Sequence, residues 1–363
     1  MSSDALSPYS AVMLASYGGP RRPEDVLPFM RNATAGRGVP DERLLEVSQH
    51  YHLFGGRSPI NEQNEALRDS LAAELSRRGC PRPVVIGNRN WTPFFRETAG
   101  ELQNRGLDRV IAVATAAYSC YSACRQYRED LARVMDEFPL RIDKAGPFAE
   151  REGFIAANVD ALVAAVRTIR SRIDDGALKV LFVTHSIPVA MNEASADGTV
   201  DARYDAQHIR VATQVAARAG QQLGEQLDWE LTYCSRSGNP RIPWLEPDIN
   251  DRLAELSGVT GVVAAPIGFI SDHMEVVYDL DTQAQDSAAE AGFEYERAAT
   301  AGTHPGFISA LADLLLEQAA VIRGERPAPT HPCQTEPASC CLPHPDKEPR
   351  HGSPISSPSS RST

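Results

Sequence analysis

PIGFISDHMEVVYDLD, residues 266–281, is the stretch that decides how the rest of this chain is interpreted. It ends an apolar run that predicts a buried strand over Val262 to Pro266. Asp272, His273, Glu275, Asp279 and Asp281 then follow within ten residues. Ligands of open α/β sheets bind where the strands end, so these side chains predict a proton or metal site. The alternative is that the acids only oppose the dipole of a helix N-terminus.

A second apolar run, VLFVTHSIP at residues 180–188, predicts another buried strand, over Val180 to Val183. His185 follows at the carboxyl edge of that strand. Imidazole titrates near neutral pH, so His185 can accept a proton or ligate a metal there. The alternative is a histidine that only hydrogen-bonds a neighbouring loop.

Strands and helices alternate along the chain, which predicts an α/β fold with parallel sheets. The further predicted strands are Ala11 to Ser16, Val84 to Asn88, Arg109 to Thr115 and Glu230 to Tyr233. The rhythm restarts near residue 153, so we expect two Rossmann-like halves, residues 8–150 and 151–300. A helix in residues 301–323 is expected to return to the first half, before a mostly irregular tail, residues 324–363.

That tail is rich in Pro, Ser and His and poor in apolar residues, so it cannot offset its ordering entropy by burial. Three of the seven cysteines of the chain, Cys333, Cys340 and Cys341, lie in it. An odd number of cysteines without an export signal argues against a disulfide framework. Their grouping suggests metal or cluster ligation.

The formal net charge of -12 and the absence of a basic stripe exclude nucleic acid as an expected partner. No apolar run reaches the roughly 18 residues that cross a bilayer, so no transmembrane segment is predicted. The N-terminus, MSSDALSPYS, lacks the regions of a signal peptide. We therefore expect a cytoplasmic enzyme.

Spacing within the acidic stretch suggests a line of carboxylates. Glu275 and Asp279 are four residues apart and share one face of a helix, which Gln283 would extend. Repulsion between the carboxylates should raise the pKa of one of them, which suits a proton relay. A solvated acidic face is the alternative.

Seven motifs, in order along residues 11–323, together resemble the ferrochelatase family, and most closely its actinobacterial branch. They are SYGGP at Ser16, FGGRSPIN at Phe54, GNRNW at Gly87, YSCYSACRQY at Tyr118, THSIP at Thr184, SRSGNPRIPWLEPD at Ser235 and the opening stretch. The resemblance implies insertion of ferrous iron into a porphyrin, with coproporphyrin III as the expected substrate and protoporphyrin IX as the alternative. It also leaves open a non-catalytic porphyrin or haem carrier, a cobalt chelatase and transient partners in the haem pathway.

The resemblance also assigns roles to individual residues. His185 matches the catalytic, metal-contacting histidine, and Glu275 matches the acid facing it across the porphyrin, which would also contact the substrate iron. Glu275 and, as a supporting relay, Asp279 would shuttle protons or iron. Gln283 stands where relatives have a third acid, a departure that weakens the carboxylate relay. Four further positions match porphyrin contacts: Tyr17, Ser58, Tyr127 and Trp244.

Members of this branch carry a 2Fe-2S cluster held by three tail cysteines and one internal cysteine. The resemblance thus implies Cys333, Cys340 and Cys341 as ligands, with Cys124, or alternatively Cys120, as the fourth. The C-x6-C-C spacing here departs from the C-x6-C-x-C form of relatives. The alternative is a set of ordinary thiols.

Overall fold

A computed structural model describes residues 4–36, 38–173, 175–236, 241–329 and 339–342. Within them, two four-stranded sheets form, and every strand pair in both is parallel. The first sheet has the order β2-β1-β3-β4 and consists of β1 (Ala11–Ser16), β2 (Val84–Asn88), β3 (Arg109–Ala114) and β4 (Arg141–Lys144). The second has the order β6-β5-β7-β8 and consists of β5 (Leu178–His185), β6 (Asp228–Cys234), β7 (Gly261–Ala265) and β8 (Glu294–Arg297). The predicted fold class is confirmed.

The helices of the first half alternate with its strands. They are α1 (Val26–Ala33), α2 (Asp41–Leu53), α3 (Ile60–Arg77), α4 (Phe95–Asn104) and α5 (Gln126–Glu137). A π-helical turn, Tyr121–Arg125, leads directly into α5. It lies in the loop that carries Cys120 and Cys124.

The second half is built in the same way. Its helices are α6 (Glu152–Ile173), α7 (Val189–Glu193), α8 (Tyr204–Leu223), α9 (Ile249–Glu255), α10 (Met274–Val277) and α11 (Gln285–Glu290), followed by α12 (Pro305–Ile322). A π-helical segment, Asp279–Ala284, separates α10 from α11.

The central strands are buried along their length because helices cover both faces of each sheet. All six residues of β1 and all five of β7 are buried. One hydrophobic core joins residues of β1, α3 and α6 with residues of β5, α8 and α12. This shared core fixes the carboxyl ends of both sheets relative to each other.

Helix α12 packs against α6 of the second half and α3 of the first. Contrary to the expectation that no apolar run reaches the length of a bilayer crossing, this helix is long and apolar enough to do so, and 44% of that stretch is buried in the fold. Phe307, Leu311 and Leu315 form its buried face in the shared core. The boundaries proposed for the two halves stay predictions.

Two edge strands, β4 and β8, are absent from the sequence-based expectation. They read RIDK and EYER, and these short charged segments offer no apolar run. Strand β5 also extends two residues beyond the expected bounds at each end, so His185, expected at its carboxyl edge, is its last residue. Pro266, predicted to end a strand, lies just after β7.

Candidate active site

The predicted catalytic side chains meet at the carboxyl edge of the second sheet. Strands β5 and β7 are parallel neighbours in that sheet. His185 ends β5, and the segment with Glu275 and Asp279 follows β7. The expectation that the two strands deliver their polar side chains to one place is therefore met in the geometry.

His185 and Glu275 form the centre of this site. The Nε2 atom of His185 lies 3.3 Å from Oε1 of Glu275, and the two side chains keep 27% and 43% of their surface exposed. Nδ1 of His185 faces the backbone carbonyl oxygen of Ser186. A carbonyl only accepts hydrogen bonds, so Nδ1 carries the hydrogen. Nε2 is therefore the atom that gains or loses a proton opposite Glu275.

The environment favours protonation of His185. Burial alone would lower the pKa of this imidazole. The negative charge of Glu275 and its hydrogen bond outweigh that effect, and the pKa of His185 is raised above its usual value. The pair can thus hold a proton at Nε2, on side chains that remain partly exposed.

His273 supports Glu275 from the start of α10. Its Nδ1 accepts a hydrogen bond from the backbone N–H of Glu275 at 3.2 Å and lies 3.6 Å from Oε2 of the same residue. Burial lowers the pKa of His273, so this ring favours the neutral form that can accept the bond. His273 orients the Glu275 backbone and caps the helix.

Asp279 begins the π-helical segment rather than continuing the α-helix of Glu275. The expected single α-helical line through Glu275, Asp279 and Gln283 is therefore interrupted by a change of helix type. Ser235 donates a hydrogen bond to Asp279. Burial, reinforced by the charge of Glu275, raises the pKa of Asp279 to about 7 despite that bond. Asp279 can therefore exchange a proton near neutral pH.

An ion-pair network fixes both ends of this segment. Arg297, the last residue of β8, contacts Asp281 and lies 3.2 Å from Asp272. Thr300 donates to Asp272 at 3.1 Å, and the backbone N–H of Asp272 donates to Gln63 of α3 at 2.7 Å. The acids at the ends of the opening stretch thus hold the loop, while Glu275 and Asp279 remain at the site.

The first half contributes aromatic and polar groups from the carboxyl end of β1. Tyr17 follows β1, is 38% exposed and meets Phe29 edge-on at 6.1 Å between ring centroids. Ser58 is buried, and its N–H donates to Pro20 at 3.0 Å. A Cβ at Gly19 would lie 2.7 Å from the Cβ of Ser58, so only glycine permits this approach.

The other two predicted porphyrin contacts differ in accessibility. Trp244 is half-buried and pairs through its backbone with Pro188, three residues after His185. Tyr127 is 4% exposed, and the guanidinium of Arg89 lies 3.9 Å above its ring. In this conformation Arg89 covers Tyr127. The roles of all four predicted porphyrin contacts stay predictions.

Four of the eight buried side-chain atoms that have no hydrogen-bond partner in the described part of the chain lie near the ends of β1 and β2. They are Asn64 Oδ1, Asn88 Oδ1, Arg89 Nη2 and Asn90 Nδ2, all buried. Asn64 also donates to Ser16 at 2.6 Å, and the N–H of Asn90 donates to Tyr17 at 3.1 Å. Buried polar atoms normally have partners, so this group can accept water or polar parts of a ligand.

Two features of α2 at the site, one ring contact and one shifted pKa, were not predicted from the sequence. His50 of α2 stacks on Tyr278, the residue before Asp279, at 3.8 Å and 14° between the rings. Burial, with smaller effects from Glu275, Tyr17 and Asp279, raises the pKa of the neighbouring Tyr51 well above its usual value. The segment QHYH at residues 49–52 was the available signal. Its helical spacing alone did not place it against the second half.

Four of the predicted cluster residues are described, and all four thiols are buried: Cys120, Cys124, Cys340 and Cys341. The fifth, Cys333, lies outside the described residues. The N–H of Cys341 donates to Ala196 at 2.8 Å, and its sulfur accepts from the N–H of Ala196 at 3.1 Å. The hydrogen bond with Cys340, followed by burial and the nearby Cys124 and Cys120, raises the pKa of Cys341 well above its usual value. The tail thus brings two thiols to the loop that carries the internal ones.

Two buried arginines adjoin these thiols. Arg125 donates to the carbonyl of Cys340 at 2.9 Å, and Arg128 lies 3.6 Å from the Cys340 sulfur. These two guanidinium groups place positive charge beside the Cys340 sulfur. Among the residues that the structure describes, no three His, Cys, Asp or Glu side chains are arranged to hold a metal ion.

Known proteins are similar to this chain over most of its length. A family model described as Ferrochelatase matches residues 9–319. The chain belongs to the ferrochelatase family. A Leifsonia xyli relative called "Coproporphyrin III ferrochelatase" is 46% identical over 85% of this chain and 84% of its own length. Relatives with the same name from Streptomyces coelicolor and Streptomyces griseus are 44% and 46% identical, over 89% and 92% of this chain and 89% and 94% of their own.

Proposed function

We propose that this protein inserts ferrous iron into coproporphyrin III. Membership of the ferrochelatase family supports metal insertion, and the names of the relatives support this porphyrin. The observation that carries the proposal is the pair formed by His185 and Glu275, whose Nε2 and Oε1 atoms lie 3.3 Å apart at the carboxyl edge of the second sheet.

Metal insertion requires a base at the porphyrin nitrogens. A free-base porphyrin gains one Fe²⁺ and releases two pyrrole protons, so charge balances when those protons reach the protein or water. Nε2 of His185 is the atom that accepts a proton when the ring is neutral, because Nδ1 is committed to Ser186, and the raised pKa makes that neutral form a stronger base. Asp279, with a pKa of about 7, is the group that can pass the proton onward near neutral pH.

The porphyrin would lie between this edge and the carboxyl end of β1. Tyr17 and Trp244 are partly exposed aromatic rings that can contact a macrocycle. Arg89 Nη2 and Asn90 Nδ2 are unpartnered buried donors that can bond a carboxylate of a ligand, whereas the unpartnered oxygens of Asn64 and Asn88 only accept hydrogen bonds. Coproporphyrin III carries four propionates where protoporphyrin IX carries two, so a polar surround favours the former.

An anaerobic assay with ferrous iron and each porphyrin tests this proposal. Absorption of the metallated product should show faster insertion into coproporphyrin III, and a clear preference for protoporphyrin IX would overturn the substrate. His185→Ala should lose insertion while it still quenches porphyrin fluorescence on binding. His52→Ala, a change of an exposed histidine on α2, is the matched control and should keep activity.

Unchanged insertion by His185→Ala at saturating substrate would contradict the catalytic role. Porphyrin binding without insertion by the unaltered protein would instead identify a carrier. Insertion of Co²⁺ in preference to Fe²⁺ would identify a cobalt chelatase. The expected cytoplasmic location and transient haem-pathway partners stay predictions.

We also propose that Cys124, Cys333, Cys340 and Cys341 hold a 2Fe-2S cluster, with Cys120 as the alternative internal ligand. The four described thiols lie close together in one buried region, and the guanidinium groups of Arg125 and Arg128 beside Cys340 would neutralise part of the negative charge of a bound cluster. Such a cluster, when bound, supplies one-electron redox chemistry. Protein purified without oxygen should contain acid-labile sulfide and absorb in the visible range. A protein without the cluster would show neither signal.

Cys340→Ser should abolish both signals, whereas Cys80→Ser, at a buried thiol whose sulfur contacts Leu75, should keep them. A protein without sulfide or visible bands before any substitution would show that these residues are ordinary thiols.

A further inference from the structure

A buried hydrogen-bond chain lies directly behind His185. Thr184, the preceding residue of β5, is fully buried, as is His208 of α8. The Thr184 hydroxyl lies 2.6 Å from the hydroxyl of Tyr204 and 2.9 Å from Nε2 of His208. The Tyr204 hydroxyl also lies 3.3 Å from the backbone carbonyl of His185. Three side chains thus connect α8 with the backbone of the proposed proton acceptor.

The direction of each hydrogen bond follows from the chemistry of the partners. Nδ1 of His208 lies 2.7 Å from the carbonyl of Tyr204, which only accepts, so Nδ1 carries the hydrogen. Burial lowers the pKa of His208 to about 3, so its Nε2 is unprotonated at neutral pH and accepts from Thr184. The Thr184 oxygen must then accept from Tyr204. The one hydroxyl hydrogen of Tyr204 is then directed mainly at Thr184, and the His185 carbonyl at 3.3 Å is its second, weaker acceptor.

The surroundings leave this chain little freedom. Tyr118 stacks on His208 with 3.5 Å between ring centroids and 17° between planes. Gly268, on the segment that leads to Glu275, packs so closely on Thr184 that no Cβ fits there. Its N–H donates to Val183 at 3.1 Å. Thr184 is thus fixed between α8 on one side and the Glu275 segment on the other.

We propose that Tyr204 and His208 are positioning residues for metal insertion, which hold the backbone at Thr184 and His185 so that Nε2 stays opposite Glu275. This inference rests on the proposed function, since it assigns these residues to the same reaction. Neither side chain is accessible to a porphyrin, because Tyr204 is 5% exposed and His208 is fully buried. They act through the backbone of β5 rather than on the porphyrin.

Tyr204→Phe removes one hydroxyl and tests the proposal. The turnover number kcat for iron insertion should fall about tenfold with KM for porphyrin changed less than about twofold, because binding surfaces stay intact. Tyr118→Phe is the matched control, since its hydroxyl has no hydrogen-bond partner in the described residues and its ring still stacks on His208. The control should keep kcat and KM.

Thr184 provides a second, independent comparison if Tyr204→Phe does not fold. Thr184→Val keeps the shape and removes the hydroxyl, whereas Thr184→Ser keeps the hydroxyl. The serine variant should retain most of the kcat that the valine variant loses. Equal kcat in both variants, or in Tyr204→Phe and the unaltered protein, would overturn the proposal.

Amide hydrogen exchange separates this inference from the proposed function. The N–H of Ser186 donates to the carbonyl of Cys234 at 2.8 Å and reports the backbone next to His185. Its exchange should accelerate about tenfold in Tyr204→Phe and Thr184→Val, without a matching increase in the distant strand β1. An unchanged rate would reject positioning. Failure of the unaltered protein to metallate any porphyrin would instead reject the function.

Discussion

The imidazole of His50 stacks on the phenol of Tyr278, with 3.8 Å between the ring centroids. His50 belongs to α2, among the elements of the first sheet, and Tyr278 directly precedes Asp279 of the second. The stack therefore joins the first half to the segment that carries both proposed catalytic acids. The stack places α2 beside the site.

A double-mutant cycle should detect this stack. His50→Ala and Tyr278→Ala, alone and together, should give a coupling of about 0.5–1.5 kcal/mol in the free energy of unfolding, the usual value for paired aromatic rings. Urea unfolding measures it. The same cycle with exposed His52 in place of His50 should give a coupling near zero, and equal couplings would contradict the assignment.

Removal of the charge of Glu275 should change the titration of His185. In Glu275→Gln, burial remains but the opposing negative charge is lost, so the pKa of His185 should fall. NMR of labelled histidine measures the pKa, and kcat for iron insertion should fall by about 10²–10⁴ if the pair handles protons. Glu290→Gln, at an exposed position of α11, should leave both unchanged. A pKa of His185 that does not move would show that Glu275 is not its main partner.

The ion pairs of Arg297 should contribute strongly to stability. Arg297→Met would leave Asp272 and Asp281 without their partner, and these side chains are only 20% and 34% exposed. We expect a loss of about 2–3 kcal/mol in the free energy of unfolding. Arg172→Met, which breaks more exposed pairs with Glu294 and Glu296, should cost less than about 1 kcal/mol. Similar losses in both variants would contradict a special role for Arg297.

Much of the fold could be predicted because its central strands are continuous apolar runs. β1 and β2 were placed at their observed bounds, since parallel strands covered on both faces show little alternation. β4 and β8 were missed because edge strands need few apolar residues. Their side chains instead make ion pairs, as Arg297 does with Asp272.

Those residues of the candidate site that lie next to an apolar run in the sequence could be predicted. His185 and Glu275 both follow apolar strands, so strand order alone brings them to one edge. The π-helical turn at Asp279 was not predictable, because the spacing of the acids fits an α-helix equally well. The contact of His50 with Tyr278 joins residues far apart in sequence, which periodicity does not report.

His208 should make the protein less stable in acid. Burial lowers its pKa to about 3 from the usual 6.5, so the unfolded chain binds the extra proton between those values. The free energy of unfolding should therefore lose up to about 1.4 kcal/mol per pH unit as pH falls from 6.5 towards 3. His208→Leu removes this titration, so the free energy of unfolding of the variant should depend less on pH in that window. The variant should also be less stable at neutral pH, because the Thr184 hydroxyl loses its acceptor. Urea unfolding at several pH values measures the slopes, with His52→Leu as the exposed control. A slope in His208→Leu equal to that of the unaltered protein would show that another group carries the acid sensitivity.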